Sequence, residues 1–163
     1  MIYIIDFYNK IVNNILHFLP ASVLLSLVLT LLYRKALRRD NWISFFFFCV
    51  YLVLLTGETL WGRLGMDIVT EDFIGIGQLF ENPWYMAAAV DNVIMFIPFG
   101  FLAVRVVTPE RARSKCLVAA LITSSCIELI QYGLHIGEAQ LIDILANFLG
   151  AVTGSLFWKK SDD

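Results

Sequence analysis

Charged side chains are scarce in this sequence. Asp, Glu, Lys and Arg together make up 16% of its 163 residues, against about 25% in an ordinary soluble domain. Hydrophobic residues make up 59%, and the mean hydropathy is +0.74. A soluble domain of this length could not bury so much apolar surface in one core, whereas a lipid bilayer covers it. We therefore expect an all-α, polytopic membrane protein and not a soluble enzyme.

The chain also lacks an excess of positive charge. Its net charge is −2, which argues against nucleic acid as a partner. The three cysteines, Cys49, Cys116 and Cys126, form no C-x-x-C pair, which predicts small buried hydrophobic side chains and neither a disulfide framework nor a zinc site. Only two histidines are present, and G-x-S-x-G, H-E-x-x-H and Walker motifs are missing. We expect no metal, no cofactor and, because no basic n-region opens the chain, no cleavable signal peptide.

Five apolar stretches are long enough to cross a bilayer as helices, which takes about 20 residues. The predicted spans are about 17–33, 42–60, 83–107, 115–135 and 141–158, in a single domain of residues 1–163. Asn82 and Pro83 suit the N-cap and first position of the third helix. Residues 1–16 mix apolar with polar side chains, which predicts either an interfacial amphipathic helix or an extension of the first span.

The loops predict the orientation of the chain. Ten of the twelve Lys and Arg residues fall in two short loops and the tail: Arg34, Lys35, Arg38, Arg39, Arg105, Arg111, Arg113, Lys115, Lys159 and Lys160. The long loop from Trp61 to Asn82 is acidic, with Arg63 as its one basic residue. By the positive-inside rule, five crossings then place the N-terminus outside and the C-terminus in the cytoplasm.

Four carboxylates fall inside the predicted spans: Glu58, Asp91, Glu128 and Asp143. An Asp at membrane depth costs roughly 2.5–3.5 kcal/mol on insertion scales, so such a residue faces a bundle interior and is a functional candidate by default. In the predicted orientation all four lie in the outer half of the protein, with no Lys or Arg at a comparable depth. Glu58 is the weaker candidate, because it reaches towards the interface.

Helical periodicity arranges these residues in stripes. One face of the fourth span carries Ser124, Glu128, Gln131 and His135, and one face of the fifth carries Asp143, Asn147, Gly150 and Gly154. The G-x-x-x-G pair lets a neighbouring helix approach closely. On the third span, Asp91 and Asn92 precede Pro98 and Gly100, where a kink is expected. We predict a polar cleft lined by Asp91, Asn92, Glu128, Gln131, Asp143 and Asn147.

A structural interpretation competes with this functional one. Buried amides and carboxyls such as Gln131 and Glu128 hold helices together, at about 0.6–2 kcal/mol each. The glycine pair is explained by packing alone, and His135 by a polar helix end. Three acids without cations exceed what packing requires, and they favour a functional site.

Residues 91–100 read D-N-x-x-x-F-x-P-F-G, and residues 128–154 read E-x-x-Q, a turn, and D-x-x-x-N-x-x-G-x-x-x-G. In these two stretches the chain resembles the VanZ-like family of small bacterial membrane proteins. The chain departs from the family pattern in that turn. Gln140 stands where the family often has Asp, and Gly137-Glu138 where many members have a nearby Arg.

The resemblance implies a multi-pass protein of the bacterial cytoplasmic membrane, associated with resistance to teicoplanin-type lipoglycopeptides. Four functions stay open. The favoured one is non-enzymatic reduction of susceptibility through an acidic outer cleft that meets a lipoglycopeptide, a membrane lipid or a lipid-linked cell-wall precursor. The others are an intramembrane enzyme acting on such a lipid, a small proton-coupled transporter and a purely structural subunit of a membrane partner. The sequence predicts neither the ligand nor the oligomeric state.

Overall fold

The computed structural model describes residues 2–37, 41–61, 80–81, 83–107, 110–137 and 140–157. Within these ranges the chain has five helices of 16–36 residues and no strand. They are α1 (Ile2–Leu37), α2 (Trp42–Thr59), α3 (Pro83–Val106), α4 (Ala112–Gly133) and α5 (Leu141–Leu156). The predicted all-α fold of five helices is confirmed.

Four of the five helices, all except α5, are long and apolar enough to cross a membrane. The 16 residues of α5 are apolar too, but they extend over only about 24 Å, against a hydrocarbon core of about 30 Å. The chain is therefore a helical membrane protein. The orientation of its termini stays a prediction, and several residues that support it lie outside the described ranges: Arg38, Arg39, Arg63, Lys159, Lys160 and most of the acidic loop.

The first helix begins at Ile2, well before the predicted start at residue 17. Its apolar part is Val12–Lys35, and Pro20 lies inside the helix. A proline removes one intrahelical hydrogen bond, which an apolar helix in a membrane tolerates. Residues 2–16 therefore continue the helix, as in the second of the two interpretations of this segment.

The chain divides into two compact units, Met1–Gly65 (unit 1) and Met66–Asp163 (unit 2). In unit 1, α1 packs antiparallel on α2. Tyr33 stacks on Phe45 at 3.9 Å between ring centroids, and Phe18 meets Trp61 edge-on at 5.9 Å. A stripe of small polar residues on α1, Ser22, Ser26 and Thr30, is buried. The prediction of a single domain stays a prediction.

In unit 2, each of α3, α4 and α5 contacts the other two. Glycines bring the backbones of α3 and α5 together. A Cβ atom on Gly150 would overlap the carbonyl oxygen of Val93, and one on Gly154 would overlap that of Ile97. Both members of each pair advance by four residues, so the two helices run parallel. Gly100 completes the contact from the other side, because its Cβ would overlap the Ala151 carbonyl.

The fourth helix runs antiparallel to both partners and reaches the same packing centre. The thiol of Cys116 donates a hydrogen bond of 3.6 Å to the carbonyl oxygen of Gly100. Cys116 and Cys49 are buried, as predicted, but Cys126 is exposed, so the prediction is wrong for this residue. Cys126 lies opposite Ser124 on α4, among exposed apolar residues that only lipid would cover.

The fourth helix ends at Gly133, two residues before the predicted His135. His135 has a φ of 55°, and the amides of His135 and Ile136 donate to the carbonyls of Tyr132 and Gln131. This is a Schellman motif with histidine at the position that glycine usually takes. His135 is therefore exposed in the turn and does not extend the polar face of α4.

We expect His135→Gly to stabilise the protein by up to about 1 kcal/mol, because glycine adopts a positive φ without the steric cost of a Cβ. Thermal unfolding of the purified protein in detergent measures the change. Tyr132→Gly, inside the helix, is the matched control and should destabilise by a similar amount. A lower melting temperature for His135→Gly would contradict the Schellman geometry.

Candidate functional site

The buried polar residues of unit 2 gather at one end of its three-helix bundle, where α3 begins, α4 ends and α5 begins. We call this the acidic end and define it by Asp91, Asn92, Glu128, Gln131, Asp143 and Asn147. Five of the six are buried, and Asp91 is half-buried. All lie within about 14 Å of the helix ends, at 1.5 Å per residue.

The register of the helices sets Asp91, Asn92, Ser124 and Asn147 at about the same height. Gly150 packs on Val93. One turn earlier along each of these parallel helices, Asn147 of α5 is therefore level with the residue before Asp91 of α3. Along the antiparallel α4, eight residues separate Ser124 from Cys116, just as eight separate Asn92 from Gly100, the partner of Cys116. The structure thus places Asn92, Ser124 and Asn147 in one polar layer, whereas Asp91, two residues before Val93, lies on the face of α3 turned away from α5.

Within this layer, one hydrogen bond joins α5 to α4. The Nδ2 of Asn147 donates to the Oγ of Ser124 at 2.8 Å. Both side chains are buried, with Ser124 fully inaccessible and Asn147 3% exposed. The Oδ1 of Asn147 has no hydrogen-bond partner among the described residues. The layer therefore contains a buried acceptor that the described part of the chain leaves unsatisfied.

One turn nearer the helix ends, a carboxylate of α4 meets the start of α5. The Oε2 of Glu128 accepts a hydrogen bond of 3.0 Å from the backbone amide of Gln140. Gln140 is the N-cap residue of α5, and its own carbonyl accepts from the amide of Asp143 at 3.1 Å. Glu128 thus binds a backbone donor that comes just before the first turn of α5.

The two acids nearest the start of α5 are stabilised by its dipole. Asp143 lies in the first turn, and Glu128 is tied to the N-cap. The N-terminus of a helix carries a partial positive charge that stabilises a carboxylate by about 0.3–1 kcal/mol, and by up to about 2 kcal/mol when partly buried. This offsets part of the cost of burying each acid. The helix dipole amounts to only about half a positive charge, so it does not fully neutralise either acid.

The basic residues of unit 2 lie mostly at its opposite end. Arg105 is in the last turn of α3, and Arg111, Arg113 and Lys115 are at the start of α4. The guanidinium of Arg105 lies 3.5 Å from the ring centroid of Phe101 and donates to the carbonyl of the same residue. Among the described residues of unit 2, His135 is the one ionisable base near the acidic end, and it is exposed.

The other predicted residues are placed as follows. Gly100, Gly150 and Gly154 are buried between helices, and Pro98 is exposed inside a continuous α3. Glu58 belongs to unit 1. Asn82 and Glu138 lie outside the described residues. The described part of the chain holds no group of three His, Cys, Asp or Glu side chains that could bind a metal ion.

Two hydrogen-bonding groups of the site, the Ser124 hydroxyl and the Gln140 amide, were not among the residues predicted to line the cleft. Ser124 lay on the polar face of α4, and its spacing of four from Glu128 was the signal that could have included it. The amide of Gln140 had no such signal, because a backbone donor is available at any residue and only the fold selects one. The predicted importance of position 140 concerned its side chain.

Comparison with known proteins gives one positive result. The sequence profile of the VanZ/LLP1 family matches residues 45–160, which covers most of α2, all of α3, α4 and α5, and all six residues of the acidic end. No curated protein and no solved structure matches the chain. Since the match spans well over half of the sequence, the chain belongs to the VanZ/LLP1 family.

Proposed function

We propose that this protein is a multi-pass protein of the bacterial cytoplasmic membrane that lowers susceptibility to teicoplanin-type lipoglycopeptides without catalysing a reaction. The acidic end faces outwards and forms a polar cleft for an envelope component on which these antibiotics act. The observation that carries the proposal is the burial of Glu128, Asp143 and Asn147 together at one end of a bundle in a chain of the VanZ/LLP1 family.

The distribution of charge supports the outward orientation. Arg105, Arg111, Arg113 and Lys115 lie at the opposite end of unit 2, and basic residues close to span ends favour the cytoplasmic side. The acidic end then opens towards the side from which lipoglycopeptides approach. A site at this depth reaches lipids and lipid-linked molecules within the bilayer.

The test is the minimal inhibitory concentration of teicoplanin in a susceptible Gram-positive host. Wild-type protein should raise it by several doubling dilutions, and Asp143→Asn at the same membrane level should not, because the amide removes the charge with almost no change in shape. Thr153→Val is a matched control on α5: Thr153 hydrogen-bonds the Leu149 carbonyl of its own helix, and its loss should leave the increase intact. An unchanged concentration with wild-type protein refutes the proposal.

A second candidate function is an intramembrane enzyme that acts on a lipid or lipid-linked precursor. It is favoured by two buried carboxylates beside the start of α5, Asp143 in its first turn and Glu128 bound from α4 to its N-cap, because neighbouring carboxyls can divide the roles of proton donor and acceptor. Purified protein with labelled lipid precursors should then yield a product that Asp143→Ala abolishes. No product from any lipid class would exclude it.

A further inference from the structure

We propose that α3 binds a membrane-spanning helix of another protein, and that a basic residue of that helix pairs with Asp91. The contact surface is the Asp91 face of α3, which we define as Ala87, Ala88, Asp91, Ile94 and Pro98. Its central residue is turned away from α5, so the inference goes beyond the proposed function and does not depend on it.

The side chain of Asp91 points out of the three-helix bundle. It lies about 160° around α3 from Val93, whose carbonyl packs on Gly150 of α5. Phe96 and Val104, each 1% exposed in the packed interior, lie about 140° around the helix from Asp91. The four neighbours one or two turns away on the same side are exposed: Ala87, Ala88, Ile94 and Pro98. Asp91 is thus at the centre of a face that α4 and α5 leave uncovered.

The depth of Asp91 makes this exposure costly. The apolar part of α3 runs from Tyr85 to Val106, so Asp91 lies about 9 Å from one end of the span and about 22 Å from the other. Charged residues at such a depth almost always face a bundle interior or pair with another group. In the part of the chain that the structure describes, no hydrogen bond or ion pair joins Asp91 to another residue.

The described bases of unit 2 lie far from Asp91. Arg105 is on the same side of α3 but about 21 Å further along the helix, where its guanidinium lies over the ring of Phe101. The bases that start α4 lie at that same end, and His135 belongs to the exposed turn after α4. Within the described part of unit 2, Asp91 therefore has no base that neutralises its charge.

Two other occupants of this face fit Asp91 less well. A lipid headgroup stays at the membrane surface, and aspartate, unlike lysine or arginine, has too short a side chain to reach it. A second copy of the chain, paired through parallel α3 helices, would bring a second Asp91 to the same level, where two carboxylates repel.

A basic residue on a partner helix satisfies Asp91 fully. A lysine or arginine neutralises the carboxylate and donates hydrogen bonds to it, and such a pair is strong where water is excluded. The short side chains of Ala87 and Ala88 beside Asp91 let the backbone of a partner helix approach closely. Charge and shape on this face thus select the same partner, a helix with a base in the membrane.

Synthetic helices in phosphatidylcholine vesicles with fluorescently labelled full-length protein test this by energy transfer. The acceptor-labelled helices are Leu-Ala peptides of about 23 residues, long enough to span the bilayer, with Lys, Gln or Leu at the centre. A central Lys reaches the level of Asp91 in either orientation on its flexible stem. We expect the Lys helix to bind about tenfold more tightly than the Gln and Leu helices. Asp91→Asn should bind all three alike, and Thr153→Val on α5 should keep the preference.

A second variant tests the shape of the face without removing the charge. Ala88→Leu adds bulk beside Asp91 and should weaken binding of the Lys helix severalfold. Val118→Leu, at an exposed position of α4, is the matched control and should leave binding unchanged.

Three results would overturn the inference. One is equal binding of the three helices, or of the Lys and Gln helices, by the wild-type protein. Another is a Lys preference that survives Asp91→Asn. The third is energy transfer between two labelled copies that Asp91→Asn abolishes, with no preference among the peptides, since the face would then bind a second copy. None of these readouts involves teicoplanin, so each leaves the proposed function untouched.

Discussion

Gly150→Ala is expected to destabilise the protein by about 3 kcal/mol, at the upper end of the usual cost of overpacking. The added Cβ would overlap the carbonyl oxygen of Val93 and lie 2.9 Å from the Cβ of Phe96. Phe96 is itself buried, and a backbone carbonyl inside a helix cannot move alone. The two helices must therefore separate along their whole contact, which also weakens the packing at Gly100 and Gly154. Unfolding of the purified protein in detergent with increasing SDS measures the loss.

Gly133→Ala is the matched control. It makes the same change in the last turn of α4, where a Cβ would meet no atom within 4 Å. Alanine is favoured over glycine in a helix by about 1 kcal/mol, so this variant should be as stable as the wild type or slightly more so. If both alanine variants unfold at the same SDS concentration, the close contact of α3 with α5 is wrong.

The number and type of helices could be predicted from the sequence because a bilayer leaves the backbone few choices. Every N–H and C=O inside the hydrocarbon must be satisfied within the protein, so a long apolar run becomes a helix. The start of the first helix was harder to predict, because residues 2–16 are neither continuously apolar nor interrupted by a strong signal that would break a helix. The end of α4 was missed by two residues, because a histidine in place of glycine hid the Schellman motif.

The glycine pair on α5 shows what the sequence pattern could not predict at the site. Gly150 and Gly154 predicted that some helix approaches closely, but not which one. The partner is α3, whose own Gly100 allows the contact, and this depends on tertiary packing over about fifty residues of sequence. The same register decides that Asn147 meets Ser124. The polar stripes on α4 and α5 were visible in the sequence, whereas their pairing was not.

Glu128→Ala should destabilise the protein by about 2–3 kcal/mol. The substitution removes the acceptor for the amide of the half-buried Gln140, which costs up to the about 1–3 kcal/mol of a fully buried donor left without a partner. It also opens a cavity, because Glu128 is 4% exposed. Removing a buried negative charge acts in the opposite direction, but the dipole of α5 already offsets part of that charge, so the loss of the hydrogen bond and of packing dominates. Thermal unfolding in detergent gives the magnitude.

Glu128→Gln separates a structural role from a functional one. The amide oxygen of glutamine can accept from Gln140 in nearly the same volume, so stability should change by less than about 1 kcal/mol. If the negative charge at the acidic end is needed for function, teicoplanin resistance is lost in this stable variant. If Glu128 serves only to fix the start of α5 against α4, Glu128→Gln keeps full resistance and only Glu128→Ala loses it. Teicoplanin resistance and membrane level are measured for both variants. The comparison decides whether the buried acid is a helix cap or part of the binding site.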